Sequence, residues 1–512
     1  MAGALAYATS LDGVFVFDDV RGVVRNATIR TLWPLTTPLA PPPRCTVSGR
    51  PIANLSLAIN CAFVSGAVAA PPEQAASQNL DPVAFHVGNL LIHLAAALAL
   101  FGVVRRTLER PRLRGIFGDA ALWVAASIAL LWVVHPLTTA AVTYVVQRVE
   151  SLMALFYLLT LYCAIRADEP AHRWRWTGAA VACCAAGMAT KEAMVSAPLA
   201  VAAWDWCFSD RGPRGAGRIR WYLAGGLAAT WAILVALVLV EHRAPSIDLA
   251  PPMVWTYLTT QAGVIVHYLQ LAAWPMPLAF MYDWPLAPSL GAVAWQAALM
   301  LALVAVVCLG IAKRHPAAFP GAVFFLVLAP SSSVLPIITE VAAEHRMYLP
   351  LAALVALVVP GVFALFRTPL QDSRPVRAGA AVAVIVVVAA LGSMTRSRNE
   401  VYATAVGLWA DTVRVRPSDS RPRVLYAEAL IASGRLADAA AQLREAIRLS
   451  PALAEAHVRL GMVLAEQHKF AEAILEVERA VRLAPDDLEA RRVLSRLREV
   501  ESASRRFGPI RR

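Results

Sequence analysis

Long apolar stretches separated by short polar links dominate the first four-fifths of the chain. They recur near 84–104, 118–134, 151–166, 175–190, 193–208, 221–240, 290–312, 320–338, 348–366 and 378–394. Several reach the roughly 20 residues that carry a helix across a bilayer, and the shorter ones approach it. About ten spans are therefore predicted, in an all-α, polytopic helical membrane domain over 84–394. A further apolar segment at 255–281, interrupted by Pro275 and Pro277, is predicted to be re-entrant or interfacial, because the parity of the other spans leaves no single crossing for it.

Beyond Arg398 the pattern changes to one rich in Ala, Leu, Arg and Glu with no run long enough to span. Residues 418–451 and 452–485 align one below the other: Leu430 with Leu464, Ala439 with Ala473, Ala446 with Ala480 and Pro451 with Pro485. A period of about 34 residues with small residues at the helix contacts and Pro after the second helix predicts tetratricopeptide repeats. Flanking helices at 399–417 and 486–500 supply the neighbours that two repeats need for burial. The domain at 395–512 is thus predicted to be an α-solenoid.

Composition agrees: 58% of the 512 residues are hydrophobic and 16% charged, with a mean hydropathy of +0.56. An ordinary soluble enzyme is excluded, since a water-facing surface needs about a quarter of its residues charged. The net charge of +12 is distributed by link rather than gathered for nucleic acid. Arg105, Arg106, Arg110, Arg112 and Arg114, then Arg166, Arg173 and Arg175, then Arg211, Arg214, Arg218 and Arg220, then Lys313 and Arg314, then Arg367, Arg374 and Arg377 all fall on alternate links, which marks those links as cytoplasmic. Residues 1–83, the 135–150 link, Lys191, 241–289, 339–347 and everything after 395 are then expected on the outer face. An outer N-terminus implies a spanning helix upstream of Met1, with residues 1–17 as its tail. The seven cysteines show no ligand spacing, and most lie in apolar runs as small hydrophobes.

Ionisable groups at span ends are the informative exceptions, because a charge at mid-bilayer costs at least ~2.5–3.5 kcal/mol. Those on the expected outer face are Asp18 and Asp19, Arg50, His86 with Asn89 and His93, His135, Arg148 and Glu150, Lys191 and Glu192, His267 and Tyr268, Asp283, and Glu344, His345, Arg346 and Tyr348. Their shared side predicts one cavity. Plainer roles compete: Asp18 and Asp19 as an Asx turn, His93 as a tie between helices, Lys191 and Glu192 as a local ion pair, His267 as a snorkelling side chain. Arg148 and Arg346, lone cations in their links, suit a phosphate.

FVFDD, FHVGNLLIH, the HP link with QRVES, TKE, HYLQL and EHRMYLP, in that order and followed by tetratricopeptide repeats, resemble the transmembrane and tetratricopeptide-repeat O-mannosyltransferases and their bacterial relatives, a branch of the GT-C membrane glycosyltransferases. The resemblance implies transfer of mannose or a similar hexose from a polyprenyl-phosphate carrier to Ser or Thr hydroxyls of proteins. It places the chain in a bacterial inner membrane, with the repeats on the periplasmic or outer face. Asp18 and Asp19 correspond to the family's acidic pair, and the base is assigned to Asp18. Arg148, Lys191, His345 and Arg346 are assigned to the leaving phosphate. A lipid-linked donor requires no nucleotide site, metal or other cofactor, and neither a P-loop nor a strand followed by GxGxxG is present. The implied partners are the lipid-linked sugar, membrane lipids and acceptor proteins captured by the repeats, with no nucleic acid. The competing class is a non-catalytic membrane scaffold whose repeats recruit envelope proteins. EHRMY, with His345 before the arginine, and the PPEQAASQ insertion at 71–78 depart from the family pattern.

Overall fold

The computed structural model describes residues 1–65, 80–209, 220–240, 251–334 and 336–507. The PPEQAASQ stretch and part of the Arg211–Arg220 link lie outside the described residues. Among those described, every regular element is helical. The chain divides into two compact units: Met1–Leu278 with Pro285–Ala403, and Ala279–Trp284 with Thr404–Arg512.

The longer helices of the first unit are α1 (Pro51–Ser65), α2 (Pro82–Leu108), α3 (Ala121–Val133), α4 (Arg148–Arg166), α5 (Arg173–Met188), α6 (Ala197–Phe208), α7 (Trp221–Ala229), α8 (Trp231–Val240), α9 (Pro251–Ala273), α10 (Ala294–Ala312), α11 (Ala318–Ala329), α12 (Tyr348–Leu365) and α13 (Arg374–Glu400). Among the described residues, seven helical stretches are long and apolar enough to cross a membrane: Pro82–Leu108, Pro111–Val133, Val145–Arg166, Trp221–Leu239, Leu290–Ala312, Glu344–Leu365 and Arg374–Ala403. The expected spans at 175–190, 193–208 and 320–338 do fold as helices, but shorter ones. α5 and α6 are parted by the 3-10 turn Glu192–Ser196, and α11 gives way to a π-helical turn at Pro330–Val334. Helix α1 lies inside the region expected to be loop, where Asn54, Ser56 and Asn60 interrupt the apolar pattern.

Helix α2 begins at a built cap: the Asp81 carboxylate accepts from Val83 N at 3.0 Å and Pro82 opens the first turn. It runs beside α4 in one register. A Cβ on Gly88 would lie 2.8 Å from Arg148 Nη2, and a Cβ on Gly102, the same step further along both helices, would lie 2.7 Å from Tyr162 Cε2. Small residues on α2 thus make room for one long polar side chain at each end of α4.

Within the segment at 255–281, helix α9 runs unbroken to Ala273, and Pro275 and Pro277 lie just beyond its end. Several of its hydrogen bonds go to links. Tyr257 OH donates to Ser331 O (2.8 Å), Gln261 Nε2 to Val341 O (3.0 Å), Ala343 N donates to Tyr268 OH (2.6 Å), and His135 Nε2 to Ala272 O (3.2 Å). The residues before Asp18 form the short helix Ala2–Ala6 and a 3-10 turn at Ala8–Asp12. They are fastened by Tyr7 OH to Thr138 Oγ1 at 2.8 Å and by Asn399 Nδ2 to Ala6 O at 3.1 Å.

The second unit contains α14 (Ala405–Val415), α15 (Ser420–Ala432), α16 (Leu436–Leu449), α17 (Ala454–Glu466), α18 (Phe470–Leu483) and α19 (Leu488–Phe507). Its core is the repeated set of small and aliphatic residues, among them Ala427, Leu430, Ala439, Leu443, Ala446, Leu460, Leu464, Ala473 and Val477. Both intra-repeat turns need a left-handed residue: Gly434 has φ 77 and its counterpart one repeat on, His468, has φ 62. Residues 279–284 belong to this unit. Phe280 packs edge-on against Trp409, and the Arg416 guanidinium lies over the Tyr282 ring at 5.6 Å.

Candidate functional site

The acidic pair lies in the turn after Phe17, itself a non-glycine residue at φ 46. The two carboxylates face different surroundings. Asp19 is fully buried; its Oδ1 accepts from Val146 N at 2.7 Å and its Oδ2 from Val16 N at 3.0 Å. Burial raises its pKa to about 8, with Asp18 adding to the rise and the amides of Val16 and Val146 opposing it. Asp18 is half-buried. Its Oδ2 accepts from Thr46 Oγ1 at 3.0 Å, and its backbone N–H donates to Tyr144 OH at 3.0 Å.

From Thr46 a chain of polar contacts leads to the TKE motif. Arg50 Nη1 donates to Thr46 O at 2.6 Å, and Nη2 reaches both oxygens of Glu192 at 3.1 and 3.2 Å. Glu192 thus pairs with Arg50 across the fold. Lys191 Nζ instead forms an ion pair with the Glu150 carboxylate, and both side chains are buried. The 339–347 link closes the cluster. His345 Nε2 is 3.7 Å and Arg346 Nη2 3.9 Å from Glu340 Oε2. The fields of Arg346, Asp18, Lys191 and Glu150 all reach Glu340, and those of Lys191, Arg346 and Arg50 reach His345. Asp18, Arg50, Glu150, Lys191, Glu192, His345 and Arg346 thus share one neighbourhood.

The other sequence-derived residues have framework contacts. Each nitrogen of Arg148 donates into protein: Nε to Asn89 Oδ1 (2.5 Å), Nη1 to Ser56 O (3.1 Å), and Nη2 to Asn60 Oδ1 (2.6 Å) and Phe85 O (2.9 Å). Arg346 Nη2 donates to Glu340 O at 2.5 Å, while its Nη1 points at Val341 O and Ser331 O. His86 Nε2 donates to Gly13 O at 3.1 Å. Burial lowers the pKa of His135 to about 4, so its ring is neutral; Nδ1 caps the turn at Leu137 N, and Nε2 holds the end of α9. His93 Nδ1 and Tyr348 OH are 2.7 Å apart, tying α2 to α12 within a cluster that includes Trp132. Glu344 is buried and His267 half-buried. Asp283 belongs to the second unit, where its amide donates to Asp419 Oδ2 at 3.0 Å and its Oδ2 accepts from Ser420 Oγ.

Sequence reasoning missed Thr46, Tyr144 and Glu340. The first two are uncharged, so nothing in their local pattern sets them apart. Glu340, the carboxylate of ITE in the same link as EHRMY, offered a signal.

Fold and site together define an all-α polytopic membrane protein with a charged, largely buried cluster at one end of its spans and a tetratricopeptide-repeat tail. The tetratricopeptide repeat family matches residues 430–497. Protein O-mannosyl-transferase Tmtc2 of Drosophila melanogaster is 27% identical over 304 residues, which are 54% of this chain and 29% of that protein. Protein O-mannosyl-transferase TMTC4 of Homo sapiens is 31% identical over 176 residues, 31% of this chain and 21% of the relative. Protein O-mannosyl-transferase TMTC3 of Homo sapiens is 28% identical over 180 residues, 33% and 17% respectively. The resemblance carried by the motifs is borne out in these relatives, and the chain matches less than a third of their length.

Proposed function

We propose that this chain is an integral-membrane O-glycosyltransferase that moves mannose or a similar hexose from a polyprenyl-phosphate carrier to Ser or Thr hydroxyls of proteins on the outer face of a bacterial inner membrane. The observation that carries the reading is half-buried Asp18, whose carboxylate accepts from Thr46 and whose backbone N–H donates to Tyr144, in one electrostatic neighbourhood with Lys191, His345 and Arg346. A hydroxyl is a weak nucleophile at neutral pH, and a held carboxylate removes its proton as the bond to the anomeric carbon forms. The carrier phosphate leaves with growing negative charge, which fixed cations in a water-poor site stabilise. Lys191 and His345 are the groups we assign to contact it. Arg346 adds its field from within the link, and Arg148 holds α2 against α4. Asp19 orients the turn.

A lipid-linked donor is supported by an apolar groove of about 390 Å3 walled by α2, α4, α11 and α12. Along α12 it runs from Leu349, close in sequence to His345 and Arg346, to Ala364. The side of the tail is supported by residues 279–284, which pack in the same unit as the repeats. Both lie in links that the alternation of basic residues assigns to the outer face. The repeats then stand where secreted acceptors pass.

The test is reconstitution of the purified protein with polyprenyl-phosphate mannose and a periplasmic protein extract, comparing wild type with Asp18→Asn. Sugar transfer by wild type and its loss in the variant are expected. A wild type that binds envelope proteins through its repeats yet transfers nothing would leave the scaffold reading in place of the enzyme.

A further inference from the structure

A second cavity, of about 530 Å3, lies between α2 and α4 at the opposite, arginine-rich end of these helices. Ala95, Phe101, Leu155 and Leu159 make its walls, and Leu98 on its rim is 72% exposed. A leucine so exposed on a spanning helix faces lipid. The floor is polar: Arg105, Arg106, Glu109 and Tyr162 line it. Gly102 lets the Tyr162 ring lie close against α2, because any Cβ there would collide with it.

The charges around the floor are held loosely. Arg105 Nε pairs with Glu109 at 2.8 Å, with both side chains nearly half exposed, and Arg106 Nη1 pairs with Glu169 at 3.1 Å. Arg166 Nη1 donates to Tyr162 OH at 3.3 Å and its Nε also meets Glu169. Exposed pairs of this kind contribute about 0–1 kcal/mol, so a stronger anion displaces them. Three guanidiniums against two carboxylates leave positive charge over, and guanidinium forks match phosphate oxygens.

We propose that this groove is a binding site for one anionic phospholipid of the cytoplasmic leaflet, with an acyl chain along Ala95, Leu155 and Leu159 and the phosphate on Arg105 and Arg106. A soluble anion would use the cations but leave the apolar walls exposed. A zwitterionic lipid would fill the walls but not the charge surplus. The alternation of basic links puts this end of the spans on the cytoplasmic side, where anionic headgroups are met by basic pockets between helices.

Delipidated full-length protein titrated with phosphatidylglycerol or phosphatidylcholine, and read by native mass spectrometry, tests the site. Wild type is expected to retain one phosphatidylglycerol at least about tenfold more tightly than phosphatidylcholine, as two surface arginines allow. R105Q/R106Q should lose that preference and R105K/R106K should keep most of it. Ala95→Phe, which fills the groove and leaves the charges, should weaken retention of both lipids. The proposal is overturned if wild type shows no preference, if R105Q/R106Q retains phosphatidylglycerol as wild type does, or if glycerol phosphate displaces the lipid at equal concentration. Should the glutamine variant fail to fold, the wild-type preference and Ala95→Phe decide the matter.

Discussion

The Thr46 hydroxyl donates to Oδ2 of Asp18 at 3.0 Å, a contact that fixes one carboxylate oxygen and so the direction of the other. If Asp18 takes the acceptor proton, Asp18→Asn should lower transfer by about a hundredfold or more, the usual span for a lost general base. Thr46→Val should cost roughly tenfold, and Thr46→Ser should restore most of it. Thermal melts of all three should stay within about 0.5 kcal/mol of wild type, since neither side chain is in the core. Equal transfer by Asp18→Asn and wild type would remove the base assignment.

Asp19 is expected to behave differently, because both its oxygens accept backbone amides. An asparagine offers one acceptor oxygen, so Asp19→Asn leaves a buried N–H facing an NH2 group and should cost about 1–3 kcal/mol. The loss also depends on pH. The folded pKa of about 8 lies above the ordinary 3.8, so the folded state binds the proton more tightly than the unfolded chain. The stabilisation from that proton is complete below about pH 4 and is lost as pH rises through 8. Melting curves from pH 4 to 9 should therefore show wild type losing its advantage over Asp19→Asn as pH rises, and a parallel pair of curves would contradict the assignment.

Seven spans were legible because their apolar runs are long, whereas the runs at 175–190, 193–208 and 320–338 fold as shorter helices; the repeats were legible because Ala439 and Ala473, or Pro451 and Pro485, recur at one spacing. Helix α1 was not, since Asn54 and Asn60 break its apolar pattern, and their partners, Asn26, Thr28, Ala84 and Arg148, are distant in sequence. The charged members of the site could be picked out singly, but not their pairing: adjacency suggested Lys191 with Glu192, whereas folding gives Lys191 to Glu150 and Glu192 to Arg50. A lone arginine also looks the same whether it awaits a ligand or, like Arg148, is surrounded by amide and backbone oxygens. Only the third dimension separates these.

The Lys191–Glu150 pair offers a way to separate structure from chemistry. Its side chains are 8% and 5% exposed, so Glu150→Leu alone strands a buried ammonium and should destabilise by about 3–5 kcal/mol. Replacing both, with Lys191→Met and Glu150→Leu, removes the two charges together and should return the melting temperature close to wild type. Transfer should remain lost in the double variant, because the cation assigned to the leaving phosphate is gone. Recovery of both stability and transfer would show that Lys191 is only structural.

The two repeat turns make an internally controlled pair. Gly434 and His468 occupy equivalent positions with φ of 77 and 62, yet only glycine adopts that conformation without a Cβ clash. His468→Gly should therefore stabilise the repeat unit by up to about 1 kcal/mol, since relief of the left-handed penalty exceeds the added freedom of the unfolded glycine. Gly434→Ala should destabilise it by about the same amount. A Cβ at Gly434 would meet nothing within 4 Å, so crowding cannot account for that loss. Hydrogen exchange of the amides in α15 to α18 of the full chain reads both changes within the repeats. Opposite shifts in the two variants are expected, and slower exchange in Gly434→Ala would refute the backbone argument.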